Sequence, residues 1–200
     1  MNLPNTLTLI RVLLIPLFIV VMSTAMPFDL PLGERALIAS GIFFIASLTD
    51  WLDGYAARRT GQVTKLGKLF DPIADKLLTS SALILLVAAG SQAPAWIAIV
   101  IIGREFAVTG LRAAASAEGC VIPAHEGGKA KMVFQTIAII ALLINMDVEK
   151  SRFLIYNTGV DPYIVGTVSL WVAMVLAVVS GVQYFVRFWG RLGLKEGRVR

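Results

Sequence analysis

Four aspartates stand at short, regular spacing in an otherwise apolar part of the chain: Asp50, Asp53, Asp71 and Asp75. Asp50 and Asp53 are three residues apart and Asp71 and Asp75 are four apart, so within helices each pair shares a face. A carboxylate near the centre of a membrane helix costs about 2.5–3.5 kcal/mol on the insertion scale, less toward the helix end. Four on facing surfaces would also repel one another. A cation removes both costs, and a ligand set made only of oxygens selects Mg2+, Mn2+ or Ca2+. Two such cations bridged by shared carboxylates suit an in-line phosphoryl displacement. The bland alternative is a set of interfacial charges paired with Arg58, Lys65, Lys68 and Lys76. It serves for one aspartate and strains for four. Gly54 would let a ligand approach the helix backbone closely. A tight helix–helix contact explains a lone glycine as well, but not one placed between Asp53 and Arg58.

The elements that must hold these residues are apolar. Of 200 residues, 57% are hydrophobic and 16% charged, and the mean hydropathy is +0.78. A soluble domain carries about a quarter charged residues and under half apolar ones, so the solvent here is a bilayer. The net charge of +5 does not point to nucleic acid as a partner, because the basic residues sit at the ends of apolar runs. There they orient the chain and meet anionic lipid or phosphate. Cys120 is the only cysteine and His125 the only histidine, too few for a disulfide or a zinc site.

Six runs have the roughly 20 apolar residues that a membrane helix needs: Leu7 to Ser23, Ala36 to Ala57, Leu69 to Ala89, Ala93 to Ala117, Ala130 to Met146 and Tyr163 to Phe188. They are too long, and alternate too little, for barrel strands. Asn2, Asn5, Thr6 and Thr8 make the first ten residues amphipathic, not basic, so the first run is expected to be a retained helix and not a cleaved signal. Arg58, Arg59, Lys65, Lys68, Arg112, Lys129, Lys131 and the basic tail fall on one side; Arg35, Lys150 and Arg152, diluted by acids, fall on the other. The positive-inside rule then puts both termini in the cytoplasm. The expectation is an all-α membrane protein with six transmembrane helices and a short amphipathic N-terminal segment, forming a single domain over residues 1–200. The short connection from Arg59 to Lys68 makes the second and third helices antiparallel neighbours, with all four carboxylates at their cytoplasmic ends.

The run from Asp50 to Asp75 reads D-x-x-D-G-x-x-A-R-x(8)-G-x(3)-D-x(3)-D. Eight fixed positions make this a specific signal, and it resembles the signature of the CDP-alcohol phosphotransferases. The resemblance implies a six-helix membrane fold, a homodimer, two divalent cations (Mg2+ or Mn2+) and a CDP-linked substrate. Carried over by position, Asp50, Asp53 and Asp71 would bind one metal, and Asp50, Asp71 and Asp75 the other. Asp75 would also be the catalytic base. Asp53, Gly54, Ala57, Arg58 and Gly67 would form the CDP site. The residue types fit these roles: a carboxylate can take a proton from a hydroxyl, and an arginine can grip phosphate with two N–H groups.

The acceptor must be read elsewhere. Arg104 and Arg112 are eight apart, roughly on one helix face, and Lys129 and Lys131 open the fifth run on the same side as Arg112. Alone, the two lysines pass for ordinary positive-inside residues. Three segments resemble the branch of the family whose acceptor is sn-glycerol 3-phosphate: Asn2 to Arg11, Gly103-Arg104-Glu105 to Arg112, and Gly128-Lys129-Ala130-Lys131 to Gln135. Met132 departs from that pattern, where the branch often has threonine. The branch implies transfer of a phosphatidyl group from CDP-diacylglycerol to glycerol 3-phosphate at a bacterial inner membrane, with the active site facing the cytoplasm. Arg104, Arg112, Lys129 and Lys131 would receive the acceptor phosphate. A sibling enzyme using inositol phosphate or serine is the runner-up. An ion transporter would need broken helices or repeats, and neither stands out in the sequence. A purely structural subunit conflicts with the cost of the four charges.

Overall fold

Each apolar run winds into a helix, because a segment shielded from water must satisfy its own backbone N–H and C=O groups. The computed structural model describes the backbone of residues 3–23, 30–60, 65–90, 93–117 and 127–196, and the side chains of 9–23, 30–50, 73–90, 93–116 and 130–190. Among the described residues there are seven helices and no strand. They are α1 (Leu3–Met22), α2 (Leu32–Thr60), α3 (Lys65–Ala88), α4 (Ala95–Ala117), α5 (Gly127–Asn145), α6 (Val148–Thr158) and α7 (Pro162–Glu196). The amphipathic N-terminal segment is not a separate element, since α1 starts at Leu3 and runs on through the first apolar stretch.

Helix α6 lies where the charges suggest a loop. Asp147 caps its start by accepting a hydrogen bond from the Lys150 N–H at 3.0 Å. Gly159 ends it in the left-handed region at φ 67°, its N–H bonded to the Ile155 carbonyl. These caps satisfy the orphan groups at both ends, so a polar 11-residue helix forms without a long apolar run. It leaves α5 at a bend of 111°. Among the described residues, two helical stretches are long and apolar enough to cross a membrane, Leu32–Asp50 and Pro162–Gly190. The number is up to three if the bent pair Ala130–Asn145 and Val148–Thr158 forms one span. That is fewer than the six runs of the sequence. The apolar described part of α1, Leu9–Met22, is short, and α4 carries Arg104, Glu105 and Arg112 within 23 residues.

Packing departs from expectation at one point that matters for the site. Among the described residues α2 and α3 touch only sparsely, whereas α1 packs along both of them. Among the described residues, α1 is thus the main bridge between the two aspartate-bearing helices. Helix α5 packs most extensively against α7 and also against α2, and α4 packs on α7. The α5–α7 approach is close at Gly166, where an added Cβ would lie 2.7 Å from Leu142 Cγ. Phe18, Phe43, Leu83, Leu86, Ile97, Ile139, Leu142 and Leu170 fill the fully buried core. The Phe18 and Phe43 rings meet at 6.0 Å across the α1–α2 contact. Leu13, Ile99, Val186 and Trp189 stay largely exposed on the outside, an apolar exterior far larger than a monomer in water keeps.

Candidate active site

Five helices, α1 to α5, contribute to one cavity of about 50 Å3. Its walls include Arg11, Asp50, Asp75, Glu105, Lys131 and Gln135. Asp50 comes from the second half of α2 and Asp75 from the first half of α3, so the first and last aspartates of the motif face the same space. Asp53 and Asp71 lie on the described backbone of α2 and α3, but their side chains fall outside the described residues, as do those of Ala57, Arg58 and Lys129, and Gly54 and Gly67 are described by their backbone alone.

On the acidic side, α1 supplies a counter-charge. Arg11 is wholly buried, and its Nη1 lies 2.8 Å from Asp50 Oδ1, a carboxylate whose side chain is one-third exposed. Burying a guanidinium costs several kcal/mol unless it is paired with good geometry, and arginine suits that pairing better than lysine. This contact joins α1 to α2 at the site itself. One turn after Asp75 on α3, Thr79 donates its hydroxyl to the Asp75 main-chain carbonyl at 3.0 Å.

On the basic side, Lys131 is buried and its ammonium group pairs with Glu105 Oε1. The same oxygen accepts a hydrogen bond from Arg104 Nη1 at 3.1 Å. Arg104 turns away from the cavity toward α7. Its Nε donates to the Ala177 carbonyl at 3.1 Å and its Nη2 to Ser180 Oγ at 2.8 Å. Gly181 leaves room for this side chain, since a Cβ there would sit 3.1 Å from Arg104 Cγ. Arg112 is exposed on α4, with Cζ 5.3 Å from the centre of the Tyr184 ring, within cation–π range. Of the four basic residues expected at an acceptor phosphate, Lys131 lines the cavity and Arg104 reaches it through Glu105. Arg112 packs on α7 instead.

Among the charged and amide side chains of the cavity wall, Arg11, Glu105 and Gln135 carry no role from the sequence alone. Arg11 stands inside the first apolar run, Leu7 to Ser23, and that position was the available signal. Glu105 pairs with both Arg104 and Lys131. Among the described residues no three acidic, histidine or cysteine side chains cluster. The described donors nonetheless fit a hard divalent cation, because Asp50 and Asp75 bring carboxylate oxygens from two helices to one polar cavity.

The family model described as CDP-alcohol phosphatidyltransferase matches residues 1–179. A Bacillus subtilis protein named CDP-diacylglycerol–glycerol-3-phosphate 3-phosphatidyltransferase is 46% identical over 200 positions, covering 96% of this chain and 97% of that one. Proteins of the same name from Rickettsia felis and Haemophilus influenzae are each 37% identical. They cover 92% of this chain, and 93% and 91% of their own lengths. The match takes in the helix that supplies Arg11, both aspartate-bearing helices and the α4–α5 wall of the cavity, and the chain belongs to the CDP-alcohol phosphatidyltransferase family.

Proposed function

We propose that this protein transfers the phosphatidyl group of CDP-diacylglycerol to sn-glycerol 3-phosphate, releasing CMP and forming phosphatidylglycerophosphate. The observation that carries the proposal is one cavity lined by Asp50, Asp75 and a buried lysine, Lys131. Such a space suits an alcohol to be deprotonated that also carries an anionic group. At about 50 Å3 it has room for roughly three to five waters, which suits a three-carbon alcohol. The names of the three relatives support the same donor and acceptor.

In this reading the primary hydroxyl of glycerol 3-phosphate attacks the phosphorus that bears the diacylglycerol ester. The bond from that phosphorus to the CMP oxygen breaks, and CMP leaves with the electron pair. Asp75 takes the hydroxyl proton. Asp50, Asp53, Asp71 and Asp75 would hold two divalent cations, Mg2+ or Mn2+, which when bound supply charge neutralisation at the phosphoryl oxygens. Asp53, Gly54, Ala57, Arg58 and Gly67 hold the CDP moiety. Lys131 meets the acceptor phosphate, Arg104 steadies Lys131 through Glu105, and Arg112 and Lys129 flank the approach from the basic side. Arg11 orients Asp50.

The whole chain acts as one domain, 1–200, that crosses a bacterial inner membrane six times, with α6 at the outer face and both termini and the cavity at the cytoplasmic side. The crowding of Arg58, Arg59, Lys65, Lys68, Lys129 and Lys131 at that end supports this orientation. We take the working unit to be a homodimer.

A purified-protein assay with CDP-diacylglycerol and a panel of acceptors, with and without Mg2+ or Mn2+, tests the proposal. CMP release is expected with glycerol 3-phosphate and a divalent cation. Release with serine or inositol phosphate but not with glycerol 3-phosphate would move the chain to a sibling activity. An unchanged acceptor KM in Arg112→Ala would remove Arg112 from the acceptor path.

A further inference from the structure

Gln135 is 97% removed from solvent, at 3% exposure, and its amide oxygen Oε1 has no hydrogen-bond partner among the described residues. It also lines the cavity. Among the described residues Thr167 Oγ1 is likewise buried without a partner but belongs to α7, outside the cavity lining. A buried carbonyl oxygen left without a donor bears its full desolvation penalty, so native proteins rarely keep one unless something supplies the donor. Gln135 follows Lys131 by four residues on α5, one turn on, so both side chains share a face. The rise between them is about 6 Å, comparable to the reach of a three-carbon phosphoalcohol.

We infer that Gln135 Oε1 accepts a hydrogen bond from the middle, non-reacting hydroxyl of the acceptor and thereby selects a 1,2-diol phosphate over a simple phosphoalcohol. The inference rests on the proposed function and follows from matching donors to acceptors. The phosphate goes to Lys131. The attacking hydroxyl must face Asp75, which takes its proton. One donor of the acceptor remains, the middle hydroxyl, and among the described residues Gln135 Oε1 is the buried oxygen of the cavity wall that lacks a donor. A site built to hydrogen-bond a substrate hydroxyl discriminates strongly against the analogue that lacks it, because its own polar group is then left unpaired.

The test compares sn-glycerol 3-phosphate with 3-hydroxypropyl phosphate, which keeps the phosphate and the attacking hydroxyl and lacks the middle one. Full-length protein is assayed in mixed micelles with CDP-diacylglycerol and Mn2+, following CMP. The wild type is expected to favour glycerol 3-phosphate by at least about tenfold in kcat/KM. In Gln135→Met, of similar volume, that preference is expected to fall below about threefold through lost activity on glycerol 3-phosphate, with the KM for CDP-diacylglycerol unchanged. A Gln135→Met protein that keeps the wild-type preference overturns the inference. So does a wild-type preference below about threefold, a result that needs no variant to fold. Absence of turnover with glycerol 3-phosphate in the wild type, alongside turnover of another alcohol, would overturn the proposed function and this inference with it.

Discussion

Replacing Arg11 by methionine keeps most of the side-chain volume in the α1–α2 contact and removes the charge held 2.8 Å from Asp50. Truncating one partner of a fully buried ion pair costs about 3–5 kcal/mol. Arg11 is wholly buried, but the Asp50 side chain is one-third exposed, so water takes up part of the orphaned charge and the expected loss is about 1–3 kcal/mol. For a chain of this size each kcal/mol is worth about 2–4 °C, which gives a drop of about 2–12 °C in thermal midpoint. The assay is thermal unfolding in detergent of the wild type, Arg11→Met, Asp50→Asn and the double variant. Because the two residues touch, the double variant should lose at least about 1 kcal/mol less than the sum of the singles. An Arg11→Met midpoint within about 1 °C of wild type, or strictly additive losses, would refute the claim that this pair holds α1 to the aspartate site.

Lys131→Met removes a buried ammonium from the cavity wall; the acceptor KM should rise at least about tenfold while the KM for CDP-diacylglycerol stays within about twofold, as initial-rate kinetics in both substrates will show. Arg104→Met loses bonds to the Ala177 carbonyl and Ser180 on α7, so its main effect should be a midpoint lowered by about 2–8 °C; a larger effect on acceptor KM than that of Lys131→Met would return Arg104 to the phosphate. Gly166→Ala drives a Cβ to 2.7 Å from Leu142 Cγ and 3.1 Å from the Leu142 nitrogen, and should cost about 1–3 kcal/mol in thermal unfolding. Gly41→Ala, with nothing within 4 Å of the added carbon, should be neutral or stabilising by up to about 1 kcal/mol. Chelation with EDTA should abolish CMP release, and Mn2+ should restore it, as expected for sites built from Asp50 and Asp75 oxygens.

The aspartate motif was legible because its information is local: helical spacing puts Asp50 beside Asp53 and Asp71 beside Asp75 before any tertiary contact is known. The helices were legible for the same reason, since long apolar runs have few other ways to satisfy their backbone. Helix α6 was not, because its stability comes from the caps at Asp147 and Gly159 and not from an apolar stripe. The placement of α1 between α2 and α3 was equally hidden. The Arg11–Asp50 pair spans 39 positions in sequence, and nothing near either residue announces the other. Arg104 illustrates the limit of face arguments. Its eight-residue spacing from Arg112 puts the two on a similar side of α4, but that side looks toward α7, where Ser180 and Tyr184 take them up. Only Glu105, one residue on, turns toward Lys131 and the cavity.

The most direct test of the account is the rate of CMP release by Asp75→Asn with CDP-diacylglycerol, glycerol 3-phosphate and saturating Mn2+. The substitution keeps the shape of the side chain at the cavity wall and removes its ability to accept the hydroxyl proton. The kcat should fall at least about 100-fold, within the range for loss of a general base, in a protein whose thermal midpoint stays near that of wild type. A kcat within about threefold of wild type would contradict it, and would mean that the cavity holding Asp50, Asp75 and Lys131 is not where the phosphatidyl group is transferred.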